Sequence, residues 1–184
     1  MTIHIKRPEI NVQQQITELN SSVSYDKMPI GSVIQTQYSV MGGSGAANES
    51  ETASTSYQPT LFQVDITPIF ENSIMVVTAT PNIKMNGDNG YQTIALFKSI
   101  AGSSYTQVLP QGSTASNSPH GQGTFRITGA STFWLATSIL QIDKPQTTRP
   151  INYKLYQRNS AGGFNVRMGE NGADEYMMVQ EIKQ

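Results

Sequence analysis

The chain has no cysteine among its 184 residues. That removes disulfides, thiol nucleophiles and cysteine-ligated zinc together, and it argues against a small secreted domain of a disulfide-using host. Histidine is almost as scarce, with only His4 and His120. A Ser–His–acid triad needs a serine on a strained strand-to-helix elbow, and no G-x-S-x-G occurs. His120, between Pro119 and Gly121, reads as an exposed loop residue rather than a general base. Charge is sparse too. Twelve basic residues face thirteen acidic ones, and 14% of the chain is charged against roughly 25% in an average soluble protein. Ser, Thr, Asn and Gln must therefore carry the solubility, and the electrostatic footprint of a nucleic-acid binder is missing. No Lys/Arg run marks a membrane surface, and no stretch nears the roughly 18 apolar residues of a spanning helix. "MTIHIKRPEINVQQQ" lacks the apolar core of a signal peptide.

What is present is β-strand. "LFQVDITPIFENSIMVVTATPNI" (61–83) alternates polar and apolar, breaks at Asn72–Ser73, and resumes with β-branched residues. Strands are expected near 32–40, 61–66, 73–80, 92–99, 123–128, 132–142, 151–158, 163–168 and 176–183. Each is bounded by turn residues such as "NGDNG", "AGSS", "DKP" and "NSAGG". Nine or so strands in about 150 residues predict an all-β antiparallel sandwich of jelly-roll type. "INYKLYQRNSAGGFNVRM" reads as its best hairpin, with Ile151, Tyr153, Leu155 and Gln157 on one face. Residues 41–60 read as a long Gly/Ser/Thr-rich loop, and 103–122 as another with a short strand inside it.

Residues 1–29 differ from the rest. Val12, Ile16, Leu19 and Val23 are spaced four, three and four apart, a helical seam of fewer than two heptads. Two readings stand side by side: a short helix or extended arm packed on its own domain, or an attachment and oligomerisation segment. Pro29 and Gly31 in "KMPIGS" then make a joint. The division expected is therefore an arm over 1–29 and a sandwich over 30–184.

Few side chains suggest chemistry. "NGDNG" resembles the start of a calcium loop, but no acid closes it, and Asn-Gly pairs suit a tight hairpin turn. "GENGADE" gathers Glu170, Asp174 and Glu175 around glycines, a possible weak calcium site but not one that defines a metal protein. "GGSGAA" lacks the Lys-Ser/Thr ending of a phosphate loop. Asp65, Glu71, Asp88, Asp143, Glu170, Asp174 and Glu175 are scattered over strands and turns, not clustered as a depolymerase cleft requires. No catalytic, cofactor or metal residue is assigned, and the chain is expected not to be an enzyme.

"VDITPIFENSIMVVTATPNI", "TIALFKSIAGSS", "WLATSILQIDKPQTTRPINYKLYQRNSAGGFNVRM" and "EYMMVQEI" resemble a β-domain of tailed-bacteriophage virion proteins, across roughly residues 30–183. Thr67, Pro68 and Ser73 match its "ITP…S" motif; Asp143, Pro145, Thr148, Tyr153 and Lys154 match its "D-x-P…T…YK" connection, and "EI" closes the last strand. The long 41–60 loop and the arm lie outside the pattern. The resemblance implies structural roles for the motif residues. It also implies likeness to the trimeric jelly-roll knobs of the C1q and tumour-necrosis-factor type, hence a homotrimer packed through apolar faces. Phe133, Trp134 and Leu135, with Tyr176, Met177 and Met178, are the interface candidates, being consecutive large apolar residues where one-sided burial predicts alternation. Val12, Ile16, Leu19 and Val23 are the candidates for particle attachment.

The reading implied is a virion structural protein, a surface knob decorating the head or forming a head fibre, with capsid or tail proteins as partners. The rival is a tail-fibre or receptor-binding, lectin-like module that recognises host-surface glycan through 41–60 and 103–122. Low charge with abundant Asn, Tyr and Ser suits it.

Overall fold

A computed structural model describes residues 24–41, 50–86, 90–108, 123–127, 133–159, 165–169 and 175–184, without the side chains of 85, 86, 90, 91, 123–127, 133 and 134. After a single 3-10 turn (Tyr25–Lys27) come β1 (Val33–Met41), β2 (Ser50–Thr52), β3 (Gln58–Ile66), β4 (Ile74–Ala79), β5 (Asn82–Asn86), β6 (Gly90–Ile100) and β7 (Thr106–Gln107). Then follow β8 (Gly123–Ile127), β9 (Phe133–Ala136), β10 (Ile139–Asp143), β11 (Ile151–Asn159), β12 (Asn165–Met168) and β13 (Glu175–Ile182). Alternation explains the strands directly. In β3, Thr60, Phe62, Val64 and Ile66 are buried while Leu61, Gln63 and Asp65 face water. In β11, Ile151, Tyr153, Leu155, Gln157 and Asn159 all point inward.

The first sheet has the order β1-β13-β4-β10. The second runs β3-β11-β6, with β7 and β8 both paired to β6. Numbering the eight principal strands along the chain, these orders are 1-8-3-6 and 2-7-4-5, which is the jelly roll. The third sheet, β2-β12-β5-β9, repeats the first position by position with the chain neighbour of each strand. It is the first sheet continued around a bend. Hydrogen bonds run through the corner: Thr80 N–H to the Tyr176 carbonyl (3.0 Å), Thr137 N–H to Pro81 (3.1 Å) and Gly169 N–H to Asn82 (3.0 Å). Pro81 sits at the turning point, where a residue without an N–H breaks a ladder at least cost.

Between the sheets lies one core, centred on Phe62, Met75, Leu96, Tyr153, Leu155 and Met177. Registers define its two ends. At one, Val33, Ile182 and Ile74 line up in the first sheet and Ile66, Ile151 and Ile100 in the second. At the other, Asn86 meets Asn165, Met85 meets Phe133, Gly90 meets Ile127 and Gln92 meets Asn159. The strand ends that bracket 87–89, 128–132 and 160–164 therefore converge opposite the end where β1 enters.

All nine expected strands are present, but several details differ. The 132–142 segment splits at Thr137–Ser138, where the bent sheet turns. The 41–60 stretch is not one structureless loop: β2 lies in it, β3 begins at Gln58, and the connection is pinned by Leu61 N–H to Ser50 Oγ (2.9 Å) and Asn159 N–H to the Ser54 carbonyl (2.8 Å). The hairpin expected of 151–168 does not form. Strand β11 already has β3 and β6 on its two edges, so β12 joins the other layer, between β2 and β5. Likewise "NGDNG" joins strands of different sheets rather than a paired hairpin. Of the arm, only residues from Ser24 onward are described; Val12, Ile16, Leu19 and Val23 lie outside.

Candidate functional site

The short motifs quoted from the sequence resolve into two polar clamps. Glu181, fully buried in β13, accepts from Ile69 N–H (2.9 and 3.0 Å), Phe70 N–H (3.0 Å), Ser73 Oγ–H (2.6 Å) and Gln35 Nε2–H (2.7 Å). The "ITP…S" loop is thus wrapped around the carboxylate of the closing "EI" strand. Burial alone would raise the pKa of Glu181. The donors Ser73, Gln35, Phe70 and Ile69 outweigh it, and the carboxyl stays below its ordinary value.

The second clamp spans the sandwich. Lys98 on β6 places its ammonium 2.8 Å from both oxygens of Asp143 on β10, and Tyr153 on β11 donates to the same carboxylate (2.8 Å). Burial, with the Asp143 charge and hydrogen bond adding to it, pushes the Tyr153 phenol far above its usual range, so it stays a donor. Both clamps satisfy buried charge internally, and the first reaches the surface only through Gln35, which also donates to the Thr67 carbonyl (2.7 Å).

The interface candidates separate by strand alternation. Met177 points into the core, and Leu135 packs partly against it. Tyr176 and Met178 point outward, and the side chains of Phe133 and Trp134 lie outside the described residues. The outer face of the first sheet is mostly apolar across its four strands, with Gln180 donating to Thr36 Oγ1 (3.4 Å) among the apolar side chains. One row runs Tyr38–Met178–Thr78–Leu140, the next Thr36–Gln180–Val76–Ile142, and Val40 stands beside Tyr176. Tyr38, Leu140 and Val40 are 71%, 64% and 56% exposed. None of these outward side chains is charged.

The chain matches no family model and no curated protein. The site must therefore be read from geometry.

The outer face of the second sheet has the opposite character. An aromatic row crosses it: Tyr57 meets Phe97 edge-on (5.4 Å between centroids), Phe97 meets Tyr156 (4.2 Å), and Tyr156 meets Tyr105 (5.7 Å). Arg158 lies over Tyr57 (4.6 Å) and Lys154 over Tyr105 (5.9 Å). Beside Tyr105 a groove of about 370 Å³ runs along Asp65, Asn152, Ser103 and Pro150. A second depression of about 360 Å³, lined by Gln35, Gln37 and Thr67, shares Asp65 and Pro150 with it. The sequence offered no motif for this face. The aromatic row and the groove draw on β3, β6, β11 and the segments that flank them, while the second depression adds Gln35 and Gln37 of β1 where that strand meets β3.

His4, His120, Asp88, Glu170 and Asp174 lie outside the described residues. Glu175 is buried and accepts the Asn82 N–H (2.6 Å). Among the described residues, no three His, Asp or Glu side chains gather where they could hold a metal ion.

Proposed function

We propose that the protein is a virion structural knob, attached to its particle by residues 1–29, assembled as a homotrimer, and placed on the head as a decoration or head fibre. The virion assignment rests on the resemblance of the "ITP…S", "D-x-P…T…YK" and "EI" segments; that Ser73, Asp143, Tyr153 and Glu181 serve in internal clamps rather than in an open site is compatible with it.

One observation carries the attachment geometry. The arm's last residues are docked beside the C-terminal strand, where Lys183 Nζ donates to the carbonyls of Tyr25, Asp26 and Met28 (3.0, 2.5 and 2.8 Å). The converging strand ends at the far side of the sandwich point away from that anchor. This polarity suits a body held at one end and presented at the other. The uncharged outer face of the first sheet supports assembly through a second copy of the chain, since it offers no charge for a charged partner to meet.

Co-sedimentation tests the attachment. The full-length chain should pellet with empty capsids, and a chain lacking residues 1–29 should stay in the supernatant. Association with isolated tails instead of heads would overturn the head placement.

A further inference from the structure

We propose that the groove on the outer face of the second sheet is a binding site for a neutral sugar, its adjacent hydroxyls held by Asp65 and Asn152 and its ring set against Tyr105. Three side chains from three neighbouring segments form a directed chain. Tyr105 Oη–H donates to Asn152 Oδ1 (2.6 Å), and Asn152 Nδ2–H donates to Asp65 Oδ1 (2.8 Å). A carboxylate can only accept, so the amide turns its nitrogen to Asp65, and that leaves the amide oxygen to take the phenol proton. The orientation of the Asn152 amide is therefore fixed by its neighbours. Burial and the charge of Asp65 both raise the Tyr105 pKa, which keeps that phenol a donor.

These two bonds leave three valences over: a second oxygen on Asp65, a second N–H on Asn152 and the lone pairs of the Tyr105 oxygen. A vicinal diol is the complementary group. One hydroxyl donates to the carboxylate, while its neighbour accepts from the amide or donates to the phenol oxygen. The hydrogen-bearing face of the sugar ring is apolar and fits an aromatic wall, which Tyr105 supplies with Tyr156 behind it.

The floor is prepared as well. Ile100 to Ser103 form a tight turn with Ala101 and Gly102 both at positive φ (49° and 77°). It is closed by Ser103 N–H to the Ile100 carbonyl (3.1 Å), Ser99 Oγ–H to the Ser103 carbonyl (2.5 Å) and Ala101 N–H to the Pro150 carbonyl (2.7 Å). An alanine held in the left-handed region shows how firmly the surroundings dictate this backbone. A wall so fixed has little freedom to lose on binding.

Among the described residues that line the two depressions, Asp65 is the only charged one. An acidic sugar would meet a like charge, so a neutral hexose or N-acetylhexosamine is specified. Both depressions are open and meet at Asp65 and Pro150, a shape for a glycan chain passing over the surface. With the first sheet covered by copies of the chain, the outer face of the second sheet remains in solvent, so a trimer would present three such grooves. Weak single sites would then gain by multivalency.

Saturation-transfer NMR on the full chain tests this with glucose, galactose, mannose and N-acetylglucosamine, and with glucuronate as the acidic control. At least one neutral sugar should show transfer at millimolar concentration. Asp65→Asn and Asn152→Ala should each weaken it about tenfold, the worth of one hydrogen bond near a charge. Gln63→Ala, on the same face but outside the groove, should leave it unchanged. The proposal is overturned by no transfer to any neutral sugar, by glucuronate binding as well as they do, or by both groove variants, folded by their melting curves, binding like wild type. Sedimentation of the same proteins reads self-association separately, so either idea can fail alone.

Discussion

A single buried carboxylate, Glu181, organises the entry to the sandwich. Five hydrogen bonds from one loop and one strand converge on it, and its acidity is increased in consequence. Because the folded pKa lies below the ordinary value of 4.5, the unfolded chain binds more protons between the two. The contribution of Glu181 to stability is thus complete above about pH 4.5 and is lost as pH falls through the folded pKa. Replacing it by glutamine keeps the volume but turns an amide toward backbone donors. Glu181→Gln should cost about 2–4 kcal/mol at neutral pH and should lose less on acidification than wild type. Urea unfolding followed down the acid limb measures both. Parallel acid losses in the two proteins would show that other carboxylates govern that limb. Lys98, Asp143 and Tyr153 make a comparable cluster, but there the charge is balanced inside the sandwich, so removing one partner strands the others.

At the scale of elements, the arm joint is held by one side chain. The Lys183 ammonium caps the carbonyls that end the Tyr25–Lys27 turn and lies over the Phe70 ring (5.5 Å). Lys183→Met keeps the stem and removes the charge, at a cost of about 1–2 kcal/mol confined to the joint. Trypsin cleavage after Lys27 should accelerate about tenfold or more, because proteolysis of a locally opened segment tracks its opening free energy. The global melting temperature should move little. An unchanged cleavage rate would mean that the backbone bonds of Gly31 and Ser32 to Lys183 hold the joint unaided. Strands such as β3 and β11 were legible because one face is buried and the period of two survives in the sequence. Strand β2 was not, since Ser50–Thr52 carry no apolar residue and are strands only by pairing with β12. Strand β5 was hidden behind Pro81, which reads as an end and is a corner. The partner of β11 was equally invisible, because periodicity gives the face a residue occupies but not the strand beside it. For the same reason the Asp65–Asn152–Tyr105 row, whose bonded partners are 87 and 47 residues apart, left no trace in any window of sequence.

For the whole molecule, the two outer faces divide the work: one uncharged and apolar, the other aromatic and polar with a groove. The apolar rows extend over three inter-strand gaps, about 14 Å wide, and stable interfaces bury about 800 Å² per partner. Leu140 ends one of these rows on the edge strand β10 and is largely exposed. Leu140→Glu would place a carboxylate against an apolar surface of the next copy, with no described cation on that face to pair with it. Burying it unpaired costs several kcal/mol, or at least about a hundredfold in the association constant. Within the monomer the side chain is exposed, so the intrinsic fold should survive, and the melting temperature should become independent of protein concentration as the oligomer is lost. Sedimentation velocity should give a trimer for wild type, a monomer for Leu140→Glu, and an unchanged trimer for Gln63→Glu on the opposite face. A wild-type monomer at all concentrations would remove the assembly from the proposed function. It would leave the apolar face to meet the particle itself, and Leu140→Glu should then abolish capsid co-sedimentation even with the arm intact.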